Sequence, residues 1–137
     1  MRMDAAELQA TLDQLGADYT KRLRLRVDTA APGEVTLTLP VTPELIHAGG
    51  VLCGQAILAA ADTAMLLAMI AQLGEFRPMT TVQLQASFLR PVPRNVSNVV
   101  VIGRVLRFGK SLSYGEVEFK TPDEKLAAHA TTTYALL

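Results

Sequence analysis

Asp62 is the only charged residue between Cys53 and Leu73, a stretch that is otherwise almost wholly apolar. A carboxylate so placed can attack a carbonyl or take a proton from water. Low-dielectric surroundings disfavour its charged form unless something compensates. The bland alternative is an acid that pairs with neighbouring backbone or faces a wet cleft without a task. Thr63 beside it does not decide the matter, because a helical threonine can bond back to its own carbonyls. Upstream, Gly49-Gly50-Val51-Leu52-Cys53-Gly54 leads into the same helix. A helix start carries free N–H groups and the positive end of the dipole, and Gly54 lets a ligand come close to the backbone. That combination suits a developing oxyanion; a tight loop that merely needs glycine dihedrals is the competing reading. Taken together, acid and helix start point to acyl transfer to water. Eight residues separate Gly54 from Asp62, about 12 Å along one helix. One scissile carbonyl cannot touch both, so this chemistry requires the helix start of one subunit to face the middle of another's.

The elements around these residues read as a single domain over 1–137, of the α+β class. Asp4-Ala-Ala-Glu7 has capping-box form. Leu8, Leu12 and Leu15 follow at helical spacing as far as Gly16, which predicts a short helix over about 4–16. From Leu23 the period becomes two: Leu23, Leu25 and Val27, then Val35, Leu37 and Leu39 across an Ala31-Pro32-Gly33 turn, predict an antiparallel pair with one buried face. The apolar helix runs from about 53 to 73 and stops at Gly74. Being apolar nearly all round, it should be surrounded by protein. Thr80–Arg90 alternates with Val82, Leu84, Ala86 and Phe88 inward. Strands over Val96–Phe108, Leu112–Lys120 and Leu126–Leu137 complete the chain, with Pro91 and Pro93 breaking it between strands. One curved sheet wrapped round the long helix satisfies this order. A lone sheet of that size leaves an edge or a face bare, so self-association is expected.

Composition removes several classes. The 13 Lys+Arg balance 13 Asp+Glu, and no basic stripe interleaved with aromatics favours nucleic acid. One cysteine excludes an internal disulfide and fits a reducing compartment, and two histidines with one cysteine give no metal-ligand spacing. The N-terminus lacks the features of a secretory signal. Ala56–Ala71 falls short of the roughly 20 apolar residues of a membrane span and carries Asp62. The expectation is a cytoplasmic, soluble protein with no membrane or nucleic-acid partner.

Four segments together carry a resemblance: Val51 to Met69 with its Ala-Asp-Thr-Ala core, Ala86-Ser87-Phe88-Leu89-Arg90-Pro91, Arg107-Phe108-Gly109-Lys110-Ser111-Leu112, and Ala128-His129-Ala130-Thr131-Thr132-Thr133-Tyr134. In this order they are similar to the phenylacetic-acid-degradation type of hotdog acyl-CoA thioesterase, over roughly residues 20 to 137. The resemblance implies a hotdog fold, a homodimer that pairs into a tetramer, an acyl-CoA substrate, and no cofactor or metal. It places the catalytic acid on Asp62 and the oxyanion N–H on Gly54. An amide side chain of the family falls on His47, and a strand hydroxyl on Thr81 (or Thr80, one residue earlier). The chain departs from the family pattern with His47 in place of Asn, and with Cys53-Gly54-Gln55 in place of His-Gly-Gly.

Helix residues Gln55, Leu58, Ala59, Met65 and Leu66 are candidates for the acyl pocket. Arg90, Arg107 and Lys110 are candidates for the CoA phosphates, or else solvated charges. Cys53 reads as a buried structural thiol and His129 as a structural strand residue. Two other functions stay open on the same fold: an acyl-CoA-binding protein without catalysis, and a dehydratase or hydratase that would need a placed His–acid pair. The residues do not choose between direct attack by the acid and activation of water.

Overall fold

The computed structural model describes residues 2–137. Its elements are helix α1 (Ala5–Leu15), a short helix α2 (Asp18–Lys21), strands β1 (Arg26–Ala31) and β2 (Glu34–Pro40), the long helix α3 (Gly54–Leu73), then β3 (Met79–Phe88), β4 (Asn98–Phe108), β5 (Leu112–Lys120) and β6 (Leu126–Leu136). The six strands form one antiparallel sheet in the order β1-β2-β4-β5-β6-β3. The chain crosses from β2 through α3 to β3 at the far edge, so the sheet curls round the helix.

Val35, Leu37 and Leu39 of β2, Val99 and Val101 of β4, Val117 and Phe119 of β5, and Ala128 and Ala130 of β6 are buried against α3. The helix presents mostly alanines to them: Ala56, Ala60, Ala61, Ala64, Ala68 and Ala71. Small residues also let the sheet approach from its own side. A Cβ on Gly103 would stand 3.1 Å from the Ala64 carbonyl, and one on Gly115 would stand 2.5 Å from Met65 Sδ and 2.6 Å from the Arg104 carbonyl. Gly74 ends α3 in the left-handed conformation (φ 80°), with its N–H on the Ile70 carbonyl. The helix is long and apolar enough to cross a membrane, but here the sheet and α1 supply its apolar surroundings.

The capping box of α1 is complete: Asp4 Oδ1 accepts from Glu7 N–H at 2.8 Å, and Glu7 Oε1 accepts from Asp4 N–H at 3.1 Å. From the same helix Gln9 reaches β1, donating to the Leu25 carbonyl and accepting from Val27 N–H. An amide side chain thereby covers part of that sheet edge. Among the described residues, no comparable side-chain cover lies on β3, the other edge.

Three expectations need correction. Leu23 and Leu25 are buried, but they precede β1, which begins at Arg26. Residues 18–24 form α2 and a turn ending at Arg24 (φ 56°), with Leu23 N–H on the Thr20 carbonyl. A turn folded under α1 buries alternate leucines as a strand would. In β3, Leu84 and Ala86 face the core, but Val82 does not. A bulge between Thr81 and Gln83 makes Val82 the extra residue and leaves it 58% exposed. Finally, α3 is not enclosed all round. Gln55 is exposed and Leu58, Ala59, Asp62 and Leu66 are half-buried, and these residues form one stripe along the helix.

Candidate active site

Asp62 sits in the middle of that stripe, its carboxylate held by two strands. Thr81 Oγ1, from β3, donates to Asp62 Oδ1 at 2.7 Å. Tyr134 Oη, from β6, lies 2.7 Å from the same oxygen and 2.9 Å from the Asp62 main-chain carbonyl. The bulge at Val82 sets this geometry, because it turns Thr81 inward opposite Tyr134 while Leu84 and Ala86 keep the inward register beyond it. Thr80 is exposed. Both donors converge on Oδ1 and fix the carboxyl orientation. None of the described residues donates to Oδ2. Tyr134 is buried beneath the carboxylate with Met65 and Met69. Burial, reinforced by the Asp62 charge, drives its phenol pKa far upward, so the hydroxyl stays protonated and available as a donor.

Tyr134 is the site residue that the sequence reading did not single out. The available signal was its place as an inward residue of β6, where an aromatic ring can be buried only if its hydroxyl finds a partner.

A second cluster forms at the helix start. Cys53 is the N-cap residue, and its side chain makes no capping bond. The amides of the first turn of α3, beginning at Gly54, therefore lack a side-chain acceptor. A cleft of about 310 Å³ opens beside them, lined by His47, Gly54, Ile57, Phe88, Leu89, Arg90 and their neighbours. Phe88 lies over Gly54: a Cβ there would meet its ring at 3.4 Å, ordinary contact. His47 is held by its own turn, with Gly49 N–H donating to His47 Nδ1 at 2.8 Å and Gly50 N–H to the His47 carbonyl at 2.9 Å. A Cβ on Gly49 would stand 2.6 Å from the His47 ring, so the turn admits the ring only because residue 49 is glycine. With Nδ1 as acceptor, the neutral ring carries its proton on Nε2 and has a donor to offer.

Of the remaining candidates, Gln55, Leu58 and Leu66 share the Asp62 stripe, whereas Met65 is fully buried in the cluster under Tyr134. Arg90 lines the His47 cleft, and its N–H bonds the Ala127 carbonyl at the start of β6. Arg107 and Lys110 are exposed on the β4–β5 hairpin, beside the end of β6, where Leu136 N–H meets the Ser111 carbonyl. Those points are nine positions apart along β6, about 30 Å, so a single chain does not bring Arg90 to the other two. Asp62 does not line the His47 cleft either, as the axial separation requires. His129 Nε2 lies 2.9 Å from Glu116 Oε1, at a position alternating with the buried Ala128 and Ala130. Among the described residues, no three His, Cys, Asp or Glu side chains are grouped as a metal site.

An antiparallel sheet curled round one long helix, as here, is the hotdog fold. The thioesterase superfamily profile matches residues 49–128, more than half of the chain. The chain belongs to this superfamily and is a hydrolase. A relative from Saccharolobus solfataricus, provisionally named an esterase, is 31% identical over 117 residues, which is 85% of this chain and 81% of its own. A thioesterase structure from Haemophilus influenzae matches with a TM-score of 0.86 at 20% identity, covering 100% of this chain and 92% of its own. A protein of the Escherichia coli phenylacetic acid degradation operon matches at 0.82 with 18% identity, covering 97% and 95%. At these identities the two structures speak for the fold.

Proposed function

We propose that this chain hydrolyses acyl-CoA thioesters with small or medium acyl groups, as an enzyme of the phenylacetic-acid-degradation type. The observation that carries the reading is the Asp62 carboxylate, with one oxygen tied to Thr81 and Tyr134 and the other without a donor, on the partly open stripe of a core helix. Asp62 attacks the thioester carbonyl and expels the CoA thiolate, leaving an anhydride for water to cleave, or it takes a proton from the attacking water. Both routes use the same free oxygen.

Gly54 N–H and His47 Nε2–H of a partner subunit stabilise the oxyanion. The uncovered edge of β3, with Phe88 53% exposed over Gly54, is the surface through which two copies pair. Such dimers pair again into tetramers in the cytoplasm, and the reaction uses no cofactor. A similarly folded Streptococcus mutans protein (TM-score 0.76, 18% identity) is described as bound to acetyl-CoA, which supports a CoA thioester as the substrate class. A hydratase would need a His–acid pair at the cleft. Among the described residues, His47 instead bonds the Gly49 backbone, and the histidine that meets an acid is His129 on the other face of the sheet.

Thiol release from a panel of acyl-CoAs tests the reading. Asp62→Asn should lower kcat/KM by about 10²-fold or more, with oxygen from labelled water appearing in the carboxylate that the wild type releases. Hydrolysis that survives Asp62→Asn unaltered would overturn the role of Asp62, whereas a wild type that binds acyl-CoAs and hydrolyses none would leave only the binding function.

A further inference from the structure

His47 lines two separate spaces. One is the cleft beside Gly54. The other is a cavity of about 340 Å³, a size that small-molecule sites have. Val41, Pro43 and Ile46 give this second cavity apolar walls. Its polar members are Arg94, His47 and Thr42, and no Asp or Glu lines it. Arg94 makes no ion pair among the described residues. Glu44, the acid nearest to His47 in sequence, is taken by Arg22 at 3.2 Å. The Thr42 hydroxyl is buried without a hydrogen-bond partner among the described residues. Backbone bonds fix the cation against the histidine turn: Arg94 N–H donates to the Gly50 carbonyl at 3.3 Å, and Gly50 N–H to the His47 carbonyl at 2.9 Å. A Cβ on Gly50 would lie 3.5 Å from Arg94 Nη2, so the guanidinium rests on the turn. Gly49 N–H occupies His47 Nδ1 at 2.8 Å. The ring therefore has one nitrogen, Nε2, to offer both spaces.

We infer that the Arg94 cavity is an inhibitory site for a small organic carboxylate, which competes with the reaction for the His47 Nε2–H. The inference rests on the proposed thioesterase reading and adds control by its product. A guanidinium receives a carboxylate through two parallel N–H bonds, the imidazole adds a further donor, and the apolar walls cover a short aliphatic body. The free acid released from a thioester has this form. A carboxylate seated there takes the donor that the oxyanion in the Gly54 cleft requires, so the acid slows its own formation. The two spaces are distinct, so substrate still binds while the acid is in place. The loss falls on the transition state, and kcat declines while KM holds.

The test uses the full-length protein, hexanoate as the probe and the acyl-CoA that it turns over fastest. Hexanoate should lower kcat with KM nearly unchanged. Arg94→Ala should raise the concentration for half inhibition by about ten-fold or more, the loss of a charge-assisted pair, and leave kcat/KM without hexanoate unaltered. Arg94 is exposed, so the variant should fold, which thermal unfolding verifies. Inorganic phosphate has no apolar body and should act about ten-fold more weakly, the equivalent of roughly two buried methylenes. Inhibition that is competitive with acyl-CoA and the same in Arg94→Ala overturns the site, because hexanoate then sits where the acyl group does. A fall in the uninhibited kcat/KM of Arg94→Ala also overturns it, by making Arg94 a substrate contact. Equal potency of phosphate and hexanoate overturns the assignment to an organic acid. Calorimetry with hexanoate separates the site from hydrolysis. If no thioester is hydrolysed but hexanoate binds wild type at least about ten-fold more tightly than Arg94→Ala, the site stands and the hydrolytic reading fails. Equal affinity in the two proteins, or binding to neither, sinks the site whatever the kinetics show.

Discussion

Tyr134 Oη lies 2.7 Å from Asp62 Oδ1 and 2.9 Å from the Asp62 carbonyl oxygen, so one phenol of β6 braces both the side chain and the backbone of the helical acid. Thr81 reaches Oδ1 at 2.7 Å from β3. Two neighbouring strands therefore hold the orientation of a carboxylate carried on a third element. In the proposed reaction, preorganisation of this kind would let a single oxygen act without a search for its rotamer.

Removing either brace should act on Asp62 rather than on substrate. Tyr134→Phe and Thr81→Val are each expected to lower kcat by about ten-fold with KM nearly unchanged, since a bad orientation loses transition-state contacts. Tyr134→Phe should also lower stability by about 1 kcal/mol for the lost hydrogen bonding. The double variant should be non-additive, because both hydroxyls meet one oxygen. Steady-state kinetics on the four proteins of the cycle measure this; strictly additive losses would argue against a shared role.

Gly54 permits an unusually clean deletion of a backbone donor. It is the first residue of α3, a position that tolerates proline because no helical bond is lost there. Cys53 before it already has φ −72° and ψ 149°, the conformation a residue takes before proline. Gly54→Pro should therefore fold, as circular dichroism can confirm, yet lose about 10²-fold in kcat if the amide holds the oxyanion. Mixing Gly54→Pro with Asp62→Asn chains should restore part of the activity, because some dimers then contain one intact composite site. Absence of complementation in verified heterodimers would count against a site shared between subunits.

Gly49→Ala should reach the cleft through His47. The added Cβ would stand 2.6 Å from the ring and displace it. Stability should change by less than about 1 kcal/mol in this exposed turn, while kcat/KM falls as far as it does in His47→Ala. Equal kinetics in Gly49→Ala and wild type would show that the His47 ring position is immaterial.

Gly115→Ala tests the close packing of sheet on helix. The new methyl would meet Met65 Sδ at 2.5 Å and the Arg104 carbonyl at 2.6 Å, and backbone cannot step aside as a side-chain tip can. A loss of about 2 kcal/mol is expected, visible as a lower Tm.

Acid should weaken the sheet through Arg104, which donates to Glu34 at 2.8 Å and to Glu118 at 2.6 Å across β2, β4 and β5. The hydrogen bond from Arg104 holds the Glu118 carboxyl below its ordinary value of 4.5. A depressed folded-state value stabilises the protein fully above 4.5, and the contribution is lost as pH falls through the folded value. Solvent screening limits it to about 1 kcal/mol. Glu118→Gln should be less stable than wild type at neutral pH, with the two denaturation curves converging in acid.

Much of the architecture was legible in the chain because each element carries its own local signal. The capping box at Asp4, the stop at Gly74 and the alternation of Val35, Leu37 and Leu39 are set by residues a few positions apart, and helix and strand periods are local properties. Asp62 was legible for the same reason, as a charge in an apolar run, and so was its distance from Gly54, since helical rise turns sequence separation into length. The strand beginning at Arg26 was not, because a turn folded under α1 buries alternate leucines as a strand does. The inward place of Thr81 depends on a one-residue bulge that no pattern of side chains announces, since pairing register is decided against the neighbouring strand. Tyr134 reaches Asp62 across 72 residues of chain, and the open stripe of α3 exists only because the sheet closes round the other faces. The sequence by itself determined which residue is the candidate acid and what elements surround it. The tertiary structure decided which hydroxyls hold that acid and which of its oxygens is left free, because those contacts join strands and helix that are distant in the chain.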